Sequence, residues 1–253
     1  TRMYWEFDGS FPNHEADPFK PENIKYLEEK VKELGADIGI ATDGDGDRVF
    51  FVDNEGKVVE PAIIGGLLAK RTLQDIPGST ICYDVRPGKI TPDMIEENGG
   101  KPELTKVGHS LIKEHMLEVG AVLGVESSGH FFYKLPTGNY EASVVAVLHI
   151  LQELTAHGGS FAELVDSLDK YAHSGEINFV VEDKVQAMEK IKETYADGEI
   201  LELDGVSITY PDFWFNVRAS NTESKLRLNL EAVDEETMKQ KRDELISLFD
   251  FLK

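Results

Sequence analysis

The segment TDGDGDR, from Thr42 to Arg48, places three aspartates at alternate positions and ends in an arginine. Side chains of an extended segment alternate between two faces, so Asp43, Asp45 and Asp47 can point the same way. Three adjacent carboxylates repel one another unless a cation lies between them. Because an all-oxygen ligand set suits a hard cation, the segment predicts a Mg²⁺ site with positions left for water or a phosphate oxygen.

Two other interpretations of this segment are weaker. A helix-loop-helix calcium site beginning at Asp43 would require glycine at its sixth position and glutamate at its twelfth, where this chain has Arg48 and Asn54. A solvated acidic turn does not explain the arginine, which beside a bound metal could contact a second phosphate oxygen.

A second polar segment, GVESSGH, opens from an apolar run and contains Glu126, Ser128 and His130. These side chains offer acceptors and donors to sugar hydroxyls, although an ordinary polar surface loop would explain them about equally well. The preceding segment VGHSLIKEH contains His109 and Lys113. Taken alone, these two are best interpreted as a histidine at a helix start and a solvated lysine.

A third segment, RASNTESKLR, has Arg218 and Arg227 at its ends. Between them lie small hydroxyl and amide side chains, which together with guanidinium groups and backbone N–H groups can surround a phosphate. The alternative is a hairpin turn with Asn221 and Thr222 at its tip. Two arginines so near the tip favour phosphate binding.

The elements around these segments predict an α/β fold. Residues 58–170 alternate between helical and strand patterns, which predicts a mixed-sheet α/β domain, and residues 1–57 are interpreted as the end of a similar preceding domain. Residues 171–253 predict a smaller α+β domain with an antiparallel sheet. Helices are predicted near 23–34, 61–72, 91–97, 110–118, 140–156, 161–170, 184–196 and 235–252.

Composition limits the function classes. The 253 residues carry a formal net charge of −21, which argues against nucleic acid or an anionic membrane as a partner. Cys82 is the only cysteine, so an internal disulfide and a thiolate metal site are excluded, and a reducing cytoplasm fits. No apolar run approaches the roughly 20 residues that span a bilayer. The first residues include neither an initiator methionine nor a signal-peptide pattern, so we expect a fragment of a longer protein.

In this order, the three segments resemble those of the α-D-phosphohexomutases, the family of phosphomannomutases and phosphoglucomutases. DGDGDR resembles the magnesium loop of that family, GVESSGH its sugar-recognition loop, and RASNTESKLR the phosphate-binding loop of its last domain. GHS near His109 and DGSFPNH upstream also match. The resemblance extends over essentially the whole chain.

The resemblance implies a role for each matching position. Asp43, Asp45 and Asp47 would bind Mg²⁺, Arg48 would lie near the transferring phosphate, and His109 near the reacting sugar oxygens. Arg86 stands where relatives often carry a lysine, which leaves its role open. The remaining substrate-binding positions would be Glu126, Ser128 and His130 for the sugar, and Arg218, Ser220, Asn221, Thr222 and Arg227 for the phosphate.

The implied activity is a Mg²⁺-dependent interconversion of hexose 1-phosphate and 6-phosphate, through a phosphoserine and a bisphosphate intermediate. No serine here has the neighbourhood of the family's phosphoserine, so we expect a C-terminal fragment that depends on missing N-terminal domains of its own chain and is inactive alone. A phosphoglucosamine mutase, a metal-dependent sugar-phosphate phosphatase with an aspartate nucleophile, and a non-catalytic sugar-phosphate-binding module remain alternatives.

Overall fold

The computed structural model describes residues 1–6, 8–181, 183–220 and 225–251. For residues 250 and 251 it describes the backbone only. Its three sheets follow one another along the chain. A three-stranded sheet comes first, a five-stranded mixed sheet second, and a six-stranded antiparallel sheet last. The predicted fold class is therefore confirmed. None of the helices within the described ranges combines the length and the apolar character needed to cross a membrane.

The first unit presents the acidic loop at the end of a hairpin. Its elements are α1 (Pro21–Leu34), β1 (Gly39–Thr42), β2 (Val49–Val52) and β3 (Val58–Val59). β1 and β2 are antiparallel, and Thr42 pairs with Val49, so the six residues between them form the connecting loop. Ile24 and Val31 of α1 pack against Phe50 and Val52 of β2, which fixes the hairpin on the helix.

The second unit is the mixed α/β layer. Its elements are α2 (Pro61–Asp75), β4 (Thr80–Asp84), α3 (Ile90–Glu97), β5 (Lys101–Thr105), α4 (His109–Val119), β6 (Leu123–Val125), β7 (Phe131–Leu135), β8 (Gly138–Glu141), α5 (Ser143–His157) and α6 (Phe161–Asp166). The strand order is β5-β4-β6-β7-β8, with β4 parallel to both neighbours. The carboxyl ends of β4 and β6 therefore meet at one edge, where open α/β sheets bind ligands.

The structure corrects the predicted bounds of α5 and α6, and α6 ends at Asp166 rather than at residue 170. A helix was expected to begin at Tyr140, but Tyr140 lies in β8 and α5 begins at Ser143. β8 pairs with β7 in a hairpin, from Phe132 opposite Glu141 to Leu135 opposite Gly138. The predicted helix therefore began three residues too early. The four-residue edge strand before it is too short to show a clear alternation, and its Tyr140 is 44% exposed.

The third unit is the antiparallel domain. Its elements are β9 (Ala172–His173), β10 (Ile177–Val180), α7 (Lys184–Thr194), β11 (Glu199–Leu201), β12 (Val206–Thr209), β13 (Phe213–Ala219), β14 (Lys225–Ala232) and α8 (Glu235–Phe251). The strand order is β10-β14-β13-β12-β11, with β9 also on β14. Leu226, Leu228 and Leu230 of β14 are fully buried in the core. Each such side chain contributes about 1.5–3 kcal/mol on burial.

The alternate residues of β14 face the second unit. Glu231 accepts a hydrogen bond from the backbone N–H of Lys89, at the start of α3, with an N to Oε1 distance of 2.6 Å. A second connection joins the backbone N–H of Val107 to Asp204 Oδ2 at 2.9 Å. These contacts attach the third unit beside the carboxyl edge of the mixed sheet.

Candidate functional site

The three aspartates of the acidic loop converge. One ligand oxygen from each of Asp43, Asp45 and Asp47 lies within 4.8 Å of the others. Asp43 Oδ1 accepts hydrogen bonds from the backbone N–H groups of Gly46 and Arg48, at 3.1 and 3.2 Å. The loop thus folds around its first aspartate, and this brings the other two carboxylates beside it. An all-carboxylate cluster of this size could hold a metal ion.

The electrostatics of the cluster are those of acids held close together. Burial raises the pKa of Asp47, and the charges of Asp43 and Asp45 add to that effect although His130 opposes it. Burial would also raise the pKa of Asp43, but hydrogen bonds from Arg48 outweigh it and lower this pKa. A bound cation would relieve the mutual repulsion, so the donor set fits a hard divalent ion.

Arg48 closes the loop with its side chain. Its Nε donates to Asp43 Oδ2 at 2.8 Å and its Nη1 to Asp17 Oδ1 at 3.0 Å. The guanidinium is therefore held between the acidic loop and the segment that precedes α1. Sequence reasoning missed Asp17, because it stands 31 positions before Arg48 and no local pattern joins the two.

The segment from Glu126 to His130 follows β6 and lies against the acidic loop. The backbone N–H of Val49 donates to the carbonyl of Gly129 at 3.0 Å, and Arg48 and His130 form an isolated antiparallel bridge. His130 Nε2 is 3.4 Å from Asp47 Oδ1. The structure therefore places the predicted metal-binding and sugar-binding segments side by side.

Glu126 is a buried carboxylate close to His130, Arg86 and the backbone of Gly108. Its Oε2 is 2.9 Å from His130 Nδ1, its Oε1 is 3.2 Å from Arg86 Nη2, and Oε1 also accepts from the backbone N–H of Gly108 at 3.0 Å. Burial would raise the pKa of Glu126, but His130 and Arg86 lower it to about 2. Ser128 Oγ is 2.8 Å from His130 Nδ1. Glu126 is thus an ionised acceptor with a fixed orientation.

Arg86 is buried at the end of β4 and is held by Asp84. Its Nη2 and Nε donate to Asp84 Oδ2 at 2.5 and 3.1 Å. Asp84, which is 0% exposed, also accepts from the backbone N–H of Ser127 at 2.8 Å. Sequence analysis did not identify Asp84. Its position at the end of a predicted strand, two residues before Arg86, was the available signal.

His109 lies beside these groups at the start of α4 and is 60% exposed. Its Nδ1 is 3.4 Å from Glu141 Oε1, which also accepts from Lys113 Nζ at 2.9 Å. The rings of His109 and His130 are 6.4 Å apart. Glu141 was missed because its position was assigned to a helix rather than to β8.

The third predicted segment is only partly described. Arg218, which is 5% exposed, donates from Nη2 to Glu176 Oε2 at 2.9 Å, and Arg227 Nη1 lies 3.4 Å from the other carboxylate oxygen of Glu176. Arg227 Nη2 donates to Ser220 Oγ at 3.4 Å. Asn221 and Thr222 lie outside the described residues. Glu176, which joins the two arginines, was not predicted.

Glu176, which joins these two arginines, lines one cavity with Arg86 and Ser127 of the second unit. Burial lowers the pKa of Arg218, and the nearby positive charge of Arg86 adds to that effect. The negative charge of Glu176 contributes to raising the pKa of Arg86. Three loops from three successive units therefore meet: one with metal-type ligands, one with a buried sugar-type acceptor, and one with paired guanidinium groups. This arrangement could bind an anionic ligand together with a cation.

Comparison with known proteins gives the family. Three family models of phosphoglucomutase/phosphomannomutase match consecutive parts of the chain: α/β/α domain II at residues 3–56, α/β/α domain III at residues 60–171, and the C-terminal domain at residues 176–248. The chain belongs to this family, the α-D-phosphohexomutases.

Individual relatives agree with that assignment. A phosphomannomutase of Methanocaldococcus jannaschii is 44% identical over 241 residues, which are 95% of this chain and 54% of that protein. A phosphomannomutase/phosphoglucomutase of Pseudomonas syringae is 40% identical over 91% of this chain and 50% of its own length. The crystal structure of a phosphoglucomutase/phosphomannomutase family protein from Burkholderia thailandensis has a TM-score of 0.86 and 32% identity, and the match covers 97% of this chain and 53% of that one. The chain spans about half the length of the relatives it matches.

Proposed function

We propose that this chain carries the metal-binding and substrate-binding parts of a phosphomannomutase/phosphoglucomutase, an enzyme that interconverts hexose 1-phosphates and 6-phosphates. The observation that carries the proposal is the contact between the acidic loop (residues 43–48) and the segment 126–130, called the sugar loop below. There His130 Nε2 lies 3.4 Å from Asp47 Oδ1. A sugar whose hydroxyl is held at Glu126 would then lie near a cation held at the aspartates.

The acidic loop supplies the charge needed for phosphoryl transfer. Asp43, Asp45 and Asp47 would hold Mg²⁺, which when bound neutralises charge on phosphoryl oxygens. Arg48, already oriented by Asp43 and Asp17, would donate to the phosphate beside the metal. His109 is the group that would accept or return the proton of the reacting sugar hydroxyl, because it is exposed beside the loop and held by Glu141.

The sugar and its second phosphate would be bound by the other two loops. Glu126, ionised and fixed, would accept from sugar hydroxyls, and Ser128 and His130 would complete that contact. Arg218 and Arg227 would bind whichever phosphate is not being transferred, together with Ser220, Asn221 and Thr222. Charged forks suit this task, since they accept a phosphate at either end of the sugar.

The phosphoryl donor would be a phosphoserine outside these 253 residues. Ser110, Ser127 and Ser128 belong to the segments already described, and none of the other serines has the sequence neighbourhood of the family's donor loop. The chain alone would therefore bind hexose phosphates without converting them. Incubation with glucose 1-phosphate, Mg²⁺ and glucose 1,6-bisphosphate should give no glucose 6-phosphate, and robust turnover would contradict the assignment of the donor.

Calorimetric titration tests the binding function. We expect Mg²⁺ to bind, and glucose 1-phosphate and mannose 1-phosphate to bind in its presence while unphosphorylated glucose does not. Asp45→Asn should weaken Mg²⁺ binding by about tenfold or more, because it removes one charged ligand. Asp37→Asn, at an exposed aspartate outside the loop, is the matched control. Equal Mg²⁺ affinity in the two variants would overturn the metal site.

A further inference from the structure

We propose that Asp84 is a positioning residue for hexose-phosphate binding. Its buried carboxylate fixes both the guanidinium of Arg86 and the start of the sugar loop, so that Arg86 presents Nη1 to the phosphate beside Arg218. The inference rests on the proposed function, and it assigns a task to two residues whose role the sequence left open or missed.

Asp84 anchors the chain beside it and a loop 43 positions further along the sequence. Its Oδ1 accepts from the backbone N–H of Arg86 at 2.8 Å, and its Oδ2 accepts from the backbone N–H of Ser127 at the same distance. Ser127 Oγ adds a longer contact to Oδ1 at 3.3 Å. One carboxylate at the end of β4 thus holds Arg86, two residues beyond the strand, and the loop that follows β6.

The same carboxylate fixes the direction of the Arg86 side chain. Nε and Nη2 of Arg86 donate to Asp84 Oδ2, and Nη2 also lies 3.2 Å from Glu126 Oε1. Nη1 makes no hydrogen bond with the described residues. A guanidinium is planar, so fixing Nε and Nη2 also fixes the direction in which Nη1 can donate. Since Arg86 is only 7% exposed, that donor is held in a largely dehydrated place.

The neighbourhood of Arg86 suits an anion between the second and third units. Arg86 lines one cavity with Glu176, which accepts from Arg218 Nη2 at 2.9 Å. Burial lowers the pKa of Arg218, which is 5% exposed, and the positive charge of Arg86 adds to that effect. The Nε of Arg218 is buried without a hydrogen-bond partner among the described residues. Two buried donors with like charge gain when a phosphate accepts from both, because the ligand supplies the missing acceptors and offsets the repulsion.

This geometry also explains why arginine can serve at position 86. An arginine can donate from Nε and Nη2 to Asp84 and Glu126 and still offer Nη1 to a ligand. A lysine presents one ammonium group, which acts as a point charge and would have to choose between these partners. Arg86 can do both only while Asp84 holds it.

The test compares Asp84→Asn with the unsubstituted chain. By calorimetry, with glucose 1-phosphate and mannose 1-phosphate as probes, we expect Asp84→Asn to bind about 10- to 100-fold more weakly, since displacement of a binding group by about 1 Å can have this effect. In nitrogen-detected NMR, the Arg86 Nε–H signal should be protected from exchange in the unsubstituted chain and lose that protection in the variant.

Asp53→Asn is the matched control. Asp53 is 3% exposed and accepts from the backbone N–H groups of Glu55 and Lys57, both at 2.9 Å, in the turn between β2 and β3. It therefore undergoes the same chemical change in a similar setting away from the loops. A similar loss of affinity in Asp53→Asn, or full affinity in Asp84→Asn, would overturn the inference.

Arg86→Lys supplies the second variant and covers the case in which Asp84→Asn does not fold. It keeps the charge but loses the fork, so its affinity should fall to a similar degree although Asp84 is intact. The double substitution should bind no more weakly than the weaker single variant, because both changes remove one arrangement. Full affinity in Arg86→Lys, or additive losses, would refute the positioning role. Absence of hexose-phosphate binding in the unsubstituted chain would instead overturn the proposed function.

Discussion

Glu126 is the residue whose ionisation most directly links the site to stability. Its pKa falls from 4.5 to about 2 in the folded chain, where burial opposes and the contacts with His130 and Arg86 favour ionisation. A carboxyl group with a lowered pKa stabilises the fold above its unfolded pKa and loses that contribution as the pH falls. Glu126 should therefore contribute up to about 3 kcal/mol near neutral pH.

Glu126→Gln tests this contribution. The variant should be less stable near neutral pH, because Arg86 and His130 lose a charged partner, and its stability should depend less on pH in the acid range. For the unsubstituted chain we expect Glu126 to account for about 2 kcal/mol of the free energy of unfolding lost between about pH 6 and pH 3. Urea unfolding at both pH values measures it. Equal acid sensitivity in the two proteins would contradict the prediction.

The residues that sequence reasoning found share a local signature. Asp43, Asp45 and Asp47 were visible because their spacing alone suggests a common ligand, and the structure brings one oxygen of each within 4.8 Å. Asp84 and Asp17 act instead on partners that are distant in sequence, and a single strand-end or loop aspartate gives no sign of such a contact. The sequence thus indicated groups that could touch a ligand, but hardly those that orient them.

At the scale of elements, the close approach of the sugar loop to β2 requires a glycine at position 129. Gly129 has φ of +91°, and a Cβ there would lie 2.6 Å from Phe50 Cε2 and 3.1 Å from the carbonyl oxygen of Val49. The hydrogen bond from Val49 N–H to the Gly129 carbonyl forms at this point. The loop between β6 and β7 can therefore rest on the acidic hairpin only with glycine here.

Gly129→Ala should separate the two loops and so weaken hexose-phosphate binding about tenfold or more, beyond any loss of stability. Gly120→Ala is its control: Gly120 has φ of +72° at the end of α4 but nothing within 4 Å of an added Cβ. It should lose about 1 kcal/mol from backbone strain and keep its affinity. Calorimetry with glucose 1-phosphate and thermal unfolding distinguish the two effects. If both variants bind alike, contact between the loops does not position the ligand.

The sequence pattern of a strand predicted its secondary structure better than it predicted what packs against the strand. The alternation of KLRLNLEAV indicated a strand with one buried face, and β14 does bury Leu226, Leu228 and Leu230. Such an alternation is typical of a strand whose other face is solvated, yet Asn229 and Glu231 are 4% and 2% exposed. The second unit covers that face, and only the assembled molecule reveals this because the pattern of one strand carries no information on a neighbouring domain.

At the scale of the whole molecule, Glu231 joins the second and third units. It accepts from the backbone N–H of Lys89 at 2.6 Å and is almost fully buried between β14 and α3. Burial raises its pKa from 4.5 to about 7, although hydrogen bonds from the backbone of Lys89 and Ile90 oppose the shift, and Asp93 adds to it. The connection between the two units is thus made through a carboxyl group that is costly to ionise.

The sign of the pH effect follows from that raised pKa. The folded chain binds a proton at Glu231 between its unfolded pKa of 4.5 and its folded pKa of about 7, whereas the unfolded chain releases it. Stability from this group is therefore highest at low pH and decreases as the pH rises through this interval. The direction is opposite to that of Glu126, so the two carboxyl groups together favour a moderately acidic optimum.

Glu231→Gln should remove this dependence, because the amide stays neutral and can still accept from Lys89. Between about pH 5 and pH 8, we expect the unsubstituted chain to lose about 2 to 3 kcal/mol more of its free energy of unfolding than the variant does. Trp214 pairs with Glu231 across the sheet and is 8% exposed, whereas Trp5, the only other tryptophan, is 65% exposed. Tryptophan fluorescence during urea unfolding therefore reports mainly on the third unit. The same pH dependence in both proteins would mean that Glu231 is ionised in the fold without cost, and that the junction between the units does not depend on its proton.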